Sequence, residues 1–333
     1  MAKNFAIAGV TGAVGQEFIR IMEERNVPFN SCKMLASSRS VGKKITLKGK
    51  DYTVEELRHD SFKGVDIVLF SAGGSRSKEF TPSAVQAGAV VVDNSSCFRM
   101  DPEVPLVVPE INGEQIRKHK GIIANPNCTT IIAIMPIWPL HKANPIKRMV
   151  VSSYQAASGA GQAAMLELIQ QAREALDDKP VTISALKYQL AFNVYCHDSK
   201  IGPGGYNEEE MKLAKETRKI FNCPDIAITA TCVRVPVLRA HSESINLEFT
   251  DPITPDQVRD LLSTAPGVRI VDDREKNRFP MPLDASGKDD VLVGRIRQDE
   301  SIPDNRGINL WISGDQIRKG AALNAVQIAE KLF

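Results

Sequence analysis

The start of this chain narrows its fold more than any other feature. The apolar run Phe5–Gly9 passes directly into Gly9-Val10-Thr11-Gly12-Ala13-Val14-Gly15, and helical periodicity follows over Ala13–Arg25. Three glycines between a strand and a helix give a tight turn. They also let a pyrophosphate approach the backbone N–H groups at the helix start. The spacing is GxxGxxG rather than GxGxxG, so the position directly after the first strand carries much of the argument. Further apolar runs at Cys32–Ala36, Val65–Ser71, Ala89–Asp93 and Gly121–Ala124 alternate with helical patterns. Strands alternating with helices imply a parallel sheet with right-handed crossovers, an α/β Rossmann-type dinucleotide-binding domain.

The second strand ends in Ser37-Ser38-Arg39-Ser40. A site for NAD usually has an acid there to hold the ribose 2′-hydroxyl. Hydroxyls and a guanidinium suit a 2′-phosphate instead, which makes NADP the expected cofactor. The third strand ends in Ser71-Ala72-Gly73-Gly74-Ser75, small residues that let a dinucleotide lie across the carboxyl ends of the strands.

From about residue 130 the texture changes. Helices are expected at Gln162–Ala175 and Glu208–Phe221, and alternating strands at Lys147–Gln155, Ala227–Val235, Glu243–Phe249 and Asp290–Gln298. This reads as an α+β domain with a mostly antiparallel sheet, whose wide face suits a second copy of the chain. A homodimer is the default, with a tetramer as the alternative. A last helix, Gln316–Leu332, presents Ile317, Ala321, Ala325, Ile328, Ala329 and Leu332 on one side and is expected to return to the first domain. The expected domains are residues 1–127 with 315–333, and residues 128–314.

A net charge of +2 gives no electrostatic case for nucleic acid or a membrane surface. No apolar run reaches the length of a membrane span, and no leader is apparent. The six cysteines lack CxxC spacing, which argues against zinc and for free thiols in a reducing cytoplasm.

One of those thiols is placed for chemistry. In Asn125-Pro126-Asn127-Cys128-Thr129-Thr130 the cysteine stands between a polar turn and the apolar run Ile131–Met135. That puts Cys128 at the first turn of a buried helix, where unpaired N–H groups and the dipole favour a thiolate. Among the five histidines, His241 alone lies between two strands near an arginine, Arg234, on an apolar strand. A charge on such a strand needs a partner, either an internal acid such as Glu243 or a ligand carboxylate. Glu209 and Lys212, three apart on a helix, either pair with each other or serve a ligand.

Together these segments resemble the aspartate-semialdehyde dehydrogenase family over almost the whole chain. The most specific matches are Asn125–Thr130, Ser153–Gly161, Arg234 with His241 seven residues on, and Val293-Gly294-Arg295-Ile296-Arg297. The lack of extra insertions is similar to the shorter bacterial form. The resemblance implies a glyceraldehyde-phosphate-dehydrogenase-like plan, with a catalytic and dimerisation domain after the Rossmann domain. It implies Cys128 as nucleophile, Gln155 as orienting residue and His241 as acid/base. Arg234 would hold the substrate carboxylate and Glu209 its amino group. Arg99 and Lys212 would hold phosphate, with Asn127 nearby. The cofactor residues would be Gly9, Thr11, Gly12, Ala13, Val14, Ser37, Arg39, Ser40, Ser71, Gly73, Ser158, Gly159 and Asn324, with no metal.

The implied reaction is the reversible reductive dephosphorylation of L-4-aspartyl phosphate to L-aspartate 4-semialdehyde. It would pass through a Cys128 thioester and feed lysine, diaminopimelate, methionine, threonine and isoleucine biosynthesis. In the oxidative direction His241 would take the thiohemiacetal proton. The alternatives are an N-acetyl-glutamyl-phosphate reductase, against which Gln155 and Glu209 argue, a glyceraldehyde-phosphate dehydrogenase, whose nucleophile motif looks different, and an inactive paralogue with a binding role. Two departures from the family pattern stand out: the Asn193–His197 loop lacks the usual proline, and Cys97 stands where a small residue is common.

Overall fold

The computed structural model of the chain describes residues 2–333. These residues group into two compact units: the chain up to Asn127 with Ala321–Phe333, and Cys128–Gly320. Residues 315–320, expected with the C-terminal helix, cluster with the second unit.

In the first unit, β1 (Lys3–Ala8), α1 (Ala13–Glu24) and β2 (Phe29–Ala36) follow the expected order. Next come β3 (Lys44–Leu47), β4 (Lys50–Glu56), β5 (Ile67–Phe70), α2 (Gly74–Gln86), β6 (Val90–Asp93), a single helical turn α3 (Pro109–Asn112) and β7 (Ile122–Ala124). The sheet order is β3-β4-β2-β1-β5-β6-β7, parallel throughout except for the β3–β4 hairpin at one edge. That hairpin turns on Lys48 and Gly49, both at positive φ (49° and 72°), as a turn of matching twist requires.

The strands alternate strictly. Phe5, Ile7, Ile67, Leu69 and Val92 enter one core, and Ala6, Ala8, Val68, Phe70 and Val91 enter another. Both faces are therefore covered, which is why β5 and β6 read as unbroken apolar runs. The first core also takes Phe18, Ile21 and Met22 of α1 and Ala325, Val326, Ile328 and Ala329 of the C-terminal helix. That helix is shorter than expected, Leu323–Glu330, because a π-helical turn at Arg318–Ala322 precedes it.

The second unit opens with α4 (Cys128–Ala143), followed by β8 (Ile146–Gln155), α5 (Gln162–Leu176), β9 (Tyr195–Cys196) and α6 (Glu208–Phe221). It continues with β10 (Ala227–Arg234), β11 (His241–Phe249), α7 (Pro255–Ser263), β12 (Val268–Ile270), α8 (Pro282–Ala285), β13 (Val291–Gln298) and β14 (Gly307–Gly314). The sheet order is β12-β13-β14-β11-β8-β10-β9. Here β12/β13 and β8/β10 are parallel and the other pairs antiparallel, so the sheet is mixed.

Helix α4 is apolar on every side and almost wholly buried, as expected of a central core helix. The strand residues buried inside the unit include Met149, Val151, Ser153 and Gln155 of β8 and His241, Glu243, Ile245 and Leu247 of β11. The opposite, partly exposed face carries Tyr154 and Trp311, whose rings lie 5.2 Å apart. Two sequence expectations shift here. Strand β11 begins at His241 rather than Glu243, so the histidine lies in the sheet instead of a turn. Strands β12 and β14 carry no distinct signal in the sequence.

Candidate active site

The glycine turn of the first unit works by close approach. Gly9 has a φ of +85°, and a Cβ there would lie 2.1 Å from the Ser71 carbonyl oxygen. A Cβ on Gly15 would lie 2.3 Å from the Gly9 carbonyl oxygen. The first and third glycines thus bring the ends of β1 and β5 and the first turn of α1 together. Gly12 caps α1 without a side chain, which leaves the first N–H groups of the helix, at Ala13 and Val14, to face an anion. Thr11 Oγ1 lies 3.4 Å from Ser40 Oγ, so the Ser38–Ser40 turn after β2, with Ser37 and the exposed Arg39, stands beside the glycine turn. Gly73, at φ +90°, caps α2 two residues after Ser71. These residues share the carboxyl ends of β1, β2 and β5, where dinucleotides bind in open α/β sheets.

Farther along the same sheet edge, Arg99 is buried. Its Nε donates to the Asn125 carbonyl oxygen (2.9 Å) and its Nη2 to the Asn94 carbonyl oxygen (2.8 Å). Asn324 of the C-terminal helix donates through Nδ2 to the Val107 carbonyl oxygen (2.9 Å) and to Asn125 Oδ1 (2.7 Å). Arg99 and Asn324, which have no sequence proximity, are therefore joined through Asn125 at the end of β7. Asn127 is buried two residues on.

In the second unit, Cys128 is the first residue of α4, as its sequence context predicts. Its Sγ lies 3.8 Å from His241 Nε2. His241 is fully buried, and its Nδ1 accepts the Ala156 N–H at 3.0 Å. A ring that accepts at Nδ1 carries its proton on Nε2, so it presents an N–H to the sulfur. Burial, and then the nearby Arg234 guanidinium, push the histidine pKa down to about 3. The imidazole is neutral and a donor.

Gln155, the last residue of β8, points the same way. Its Nε2 donates to Thr129 Oγ1 (2.8 Å), and Ser153 Oγ and Glu209 Oε1 lie at 3.3 and 3.4 Å. Glu209 is held by the start of α6. That helix begins with a reciprocal cap in which Asn207 accepts the Glu210 N–H (3.0 Å) and Glu210 accepts the Asn207 N–H (2.9 Å). Glu209 is buried and pairs with Lys212 at 3.1 Å, while Thr129 Oγ1 lies 3.5 Å from its carboxylate. The i,i+3 pairing is thus real, yet the same carboxylate also reaches Gln155.

Arg234, the last residue of β10, donates to the Ala156 carbonyl oxygen (3.2 Å) and meets His197 Nε2 at 3.1 Å; its Nε is buried without a partner. Glu243 does not pair with it. Strand β8 separates β10 from β11, which puts the two residues on strands about 10 Å apart. Both Glu243 carboxylate oxygens are unpartnered, and burial holds the carboxyl well above its usual pKa. Among the described residues no carboxylate pairs with the buried Arg234 side chain.

Gly159 lies in the turn Ala157–Ala160 after β8. A Cβ there would sit 3.1 Å from His241 Cε1 and 3.2 Å from Arg234 Nη1. Ser158 Oγ accepts from Gln316 Nε2. Three participants escape the sequence reading: Thr129, His197 and Gly320, whose Cβ would lie 2.9 Å from Cys128 Cβ. Thr129 follows the cysteine directly and was the most accessible of the three.

A nucleotide-binding α/β unit followed by a mixed-sheet unit is the plan of the semialdehyde dehydrogenases, and this chain belongs to that family. Residues 4–119 match its NAD binding domain and residues 137–319 its dimerisation domain. Within the family the chain is similar to proteins named aspartate-semialdehyde dehydrogenase. It is 57% identical to that of Synechocystis sp. over 98% of this chain and 96% of the relative. It also superposes, with a TM-score of 0.96 and 44% identity over 100% of this chain and 98% of the other, on aspartate semialdehyde dehydrogenase II from Vibrio cholerae complexed with ASA. The Candida albicans enzyme with NADP gives a TM-score of 0.78 at 25% identity, covering 100% of this chain and 98% of the other. No described helix is long and apolar enough to cross a membrane.

Proposed function

We propose that the chain is an NADP-dependent phosphorylating aldehyde dehydrogenase that interconverts L-4-aspartyl phosphate and L-aspartate 4-semialdehyde. The observation that carries this reading is a thiol at a helix start, 3.8 Å from a buried neutral imidazole. Around it stand a buried arginine that no carboxylate among the described residues pairs with, and a buried glutamate, suited to the carboxylate and ammonium of an amino acid. The names of the relatives point to the same substrate.

In the reductive direction the Cys128 thiolate attacks the acyl phosphate carbonyl and expels phosphate, leaving a thioester. The helix start and the His241 Nε2–H both stabilise the thiolate. Hydride transfer is the chemistry the bound cofactor supplies. Reduction of the thioester carbonyl gives an alkoxide, which collapses to the aldehyde and returns the thiolate. His241 is set to hydrogen-bond that alkoxide. His241, whose Nε2 faces the sulfur, carries in this reading the acid/base role at that oxygen that the resemblance implies. Gln155 would orient the acyl group, Arg234 and Glu209 would hold its amino-acid end, and Arg99, Lys212 and Asn127 would serve phosphate.

For the cofactor, Gly9, Thr11, Gly12, Ala13, Val14, Ser71 and Gly73 would hold the pyrophosphate region. Ser37, Arg39 and Ser40 would hold a 2′-phosphate, and Ser158, Gly159 and Asn324 would serve the nicotinamide end. The exposed Arg39 and the absence of an acid at that turn favour NADP, as does the NADP-bound relative. The dimerisation-domain match and the partly exposed Tyr154–Trp311 face favour a homodimer. Six free thiols fit the cytoplasm.

The test is reduction of NADP⁺ with phosphate present, on aspartate semialdehyde and separately on N-acetylglutamate semialdehyde. Phosphate-dependent turnover of the first alone is expected. Turnover of the second would overturn the assignment of Glu209 and Gln155, and turnover of neither would leave a binding role.

A further inference from the structure

His197 lies in a loop between β9 and α6 and takes no part in the reaction as described. It is nonetheless the side chain that links the two charged groups assigned to the substrate. Its Nε2 lies 3.1 Å from Arg234 Nη2. A guanidinium has no lone pair to offer, so Nε2 is the acceptor and the neutral ring carries its proton on Nδ1. Nδ1 lies 3.1 Å from Ser199 Oγ and 3.2 Å from the Ser199 backbone nitrogen; of the donors that face the ring the charged guanidinium is the stronger, so Nε2 accepts from it and Nδ1 donates to the hydroxyl. The same hydroxyl oxygen accepts the Glu209 backbone N–H at 3.2 Å. A chain of contacts thus runs from the Arg234 guanidinium through His197 and Ser199 to the backbone of Glu209.

The loop that carries the ring is itself tied at both ends. The His197 N–H donates to the Cys232 carbonyl oxygen on β10 (2.8 Å), and its carbonyl oxygen accepts from Asn207 Nδ2, the cap of α6 (3.2 Å). The guanidinium is also held by the Ala156 carbonyl oxygen at 3.2 Å and by the Tyr195 hydroxyl. A long arginine side chain has several rotamers, and one contact does not fix its plane. Several acceptors do, and His197 supplies the one that leads on to Glu209.

We propose that His197 is a positioning residue for the substrate, a neutral ring that fixes the Arg234 guanidinium relative to Glu209 and so sets the spacing at which an α-carboxylate and an α-ammonium are both held. This rests on the reading of Arg234 and Glu209 as the substrate's ionic partners. The function follows from geometry: a carboxylate and an ammonium on one carbon have a fixed separation, and preorganised partners at that separation bind them without reordering. The ring does not touch the reacting carbon, so its loss acts on binding more than on the chemical step.

The test is steady-state kinetics of the full-length enzyme with saturating NADP⁺ and phosphate. Three variants are compared: His197→Phe, His197→Gln and Arg234→Lys. His197→Phe keeps the ring volume and removes the acceptor. It is expected to raise KM for aspartate semialdehyde about tenfold to a hundredfold, the effect of losing one hydrogen bond to a charged group. Its kcat should change far less, and its KM for NADP⁺, which also reports a folded enzyme, should not change. His197→Gln retains an amide oxygen for Arg234 and a donor for Ser199, and it should restore KM to within a few-fold. If Arg234→Lys raises KM but His197→Phe does not, the inference is wrong while the carboxylate site stands. The inference also fails if His197→Gln is as impaired as His197→Phe, or if kcat falls and KM does not. If Arg234→Lys leaves KM unchanged, the carboxylate reading itself fails.

Discussion

Replacing Gly159 by alanine adds a single methyl group at the point where the two side chains assigned to chemistry and binding come closest. The new Cβ would stand 3.1 Å from His241 Cε1, 3.3 Å from His241 Nε2 and 3.2 Å from Arg234 Nη1. Ordinary carbon contacts lie at about 3.5–4.0 Å, so the ring and the guanidinium must each retreat by roughly half an ångström. His241 has little room to do so, because it is fully buried and its Nδ1 is held at 3.0 Å by the Ala156 N–H. Overpacking of this kind costs about 1–3 kcal/mol, partly offset by about 0.4–1 kcal/mol from the less flexible unfolded chain. A net loss near 1 kcal/mol lowers the melting temperature by only a few degrees in a protein of this size. The catalytic loss should be larger, since about 1 Å of misplacement costs about a hundredfold, so half of that predicts roughly tenfold or more in kcat. KM for the semialdehyde should rise as well, because Arg234 is displaced together with the ring. Steady-state kinetics paired with thermal unfolding separates the two effects. A variant with wild-type kcat and KM would refute the reasoning, since it would mean the space beside Gly159 is not part of the reacting site.

Three further outcomes follow from the same contacts. Glu243 has a folded-state pKa well above 4.5, so its proton stabilises the native state at low pH, and that stability is lost as pH rises above the unfolded value. Glu243→Gln should therefore flatten the fall of unfolding free energy above about pH 4.5, where each pH unit costs about 1.4 kcal/mol; parallel slopes in denaturant titrations would contradict this. His241 acts at the acid end. With its pKa lowered from 6.5 to about 3, stability is lost as pH falls below 6.5, by about 2 kcal/mol at pH 5, and His241→Gln should remove that loss in the same titrations. Arg39→Ala should raise KM for NADP⁺ at least tenfold while leaving KM for NAD⁺ nearly unchanged, and an equal effect on both would remove Arg39 from a 2′-phosphate site.

Much of this was legible in the sequence wherever the signals were local. The strand, glycine turn and helix at Phe5–Glu24 are adjacent in the chain, and each constrains the next. Cys128 at the start of α4 follows from a polar turn running into an apolar helix. The reading fell short where the partners are set by strand order. Alternation along β11 gives the face of Glu243 but not its distance from Arg234, and the intervening strand β8 removes that pairing. His197 owes its role to a β9 of two residues, too short to leave a pattern. The β3–β4 hairpin is charged and half-exposed, with Lys-Gly at its turn in place of the commoner Asn-Gly. Gly320 matters only because α4 passes against it, a contact nearly two hundred residues away in the chain.

The central claim is that Cys128 forms a thioester. It is tested most directly by mixing the enzyme with aspartate semialdehyde and NADP⁺ in the absence of phosphate, then following NADPH and analysing the protein by mass spectrometry. The account predicts a burst of NADPH stoichiometric with working sites, an aspartyl group attached to the peptide containing Cys128, and release of both limits when phosphate is added. Cys128→Ala should give neither burst nor adduct while still binding NADP⁺. A burst that survives in Cys128→Ala, or an adduct on another residue, would contradict the account.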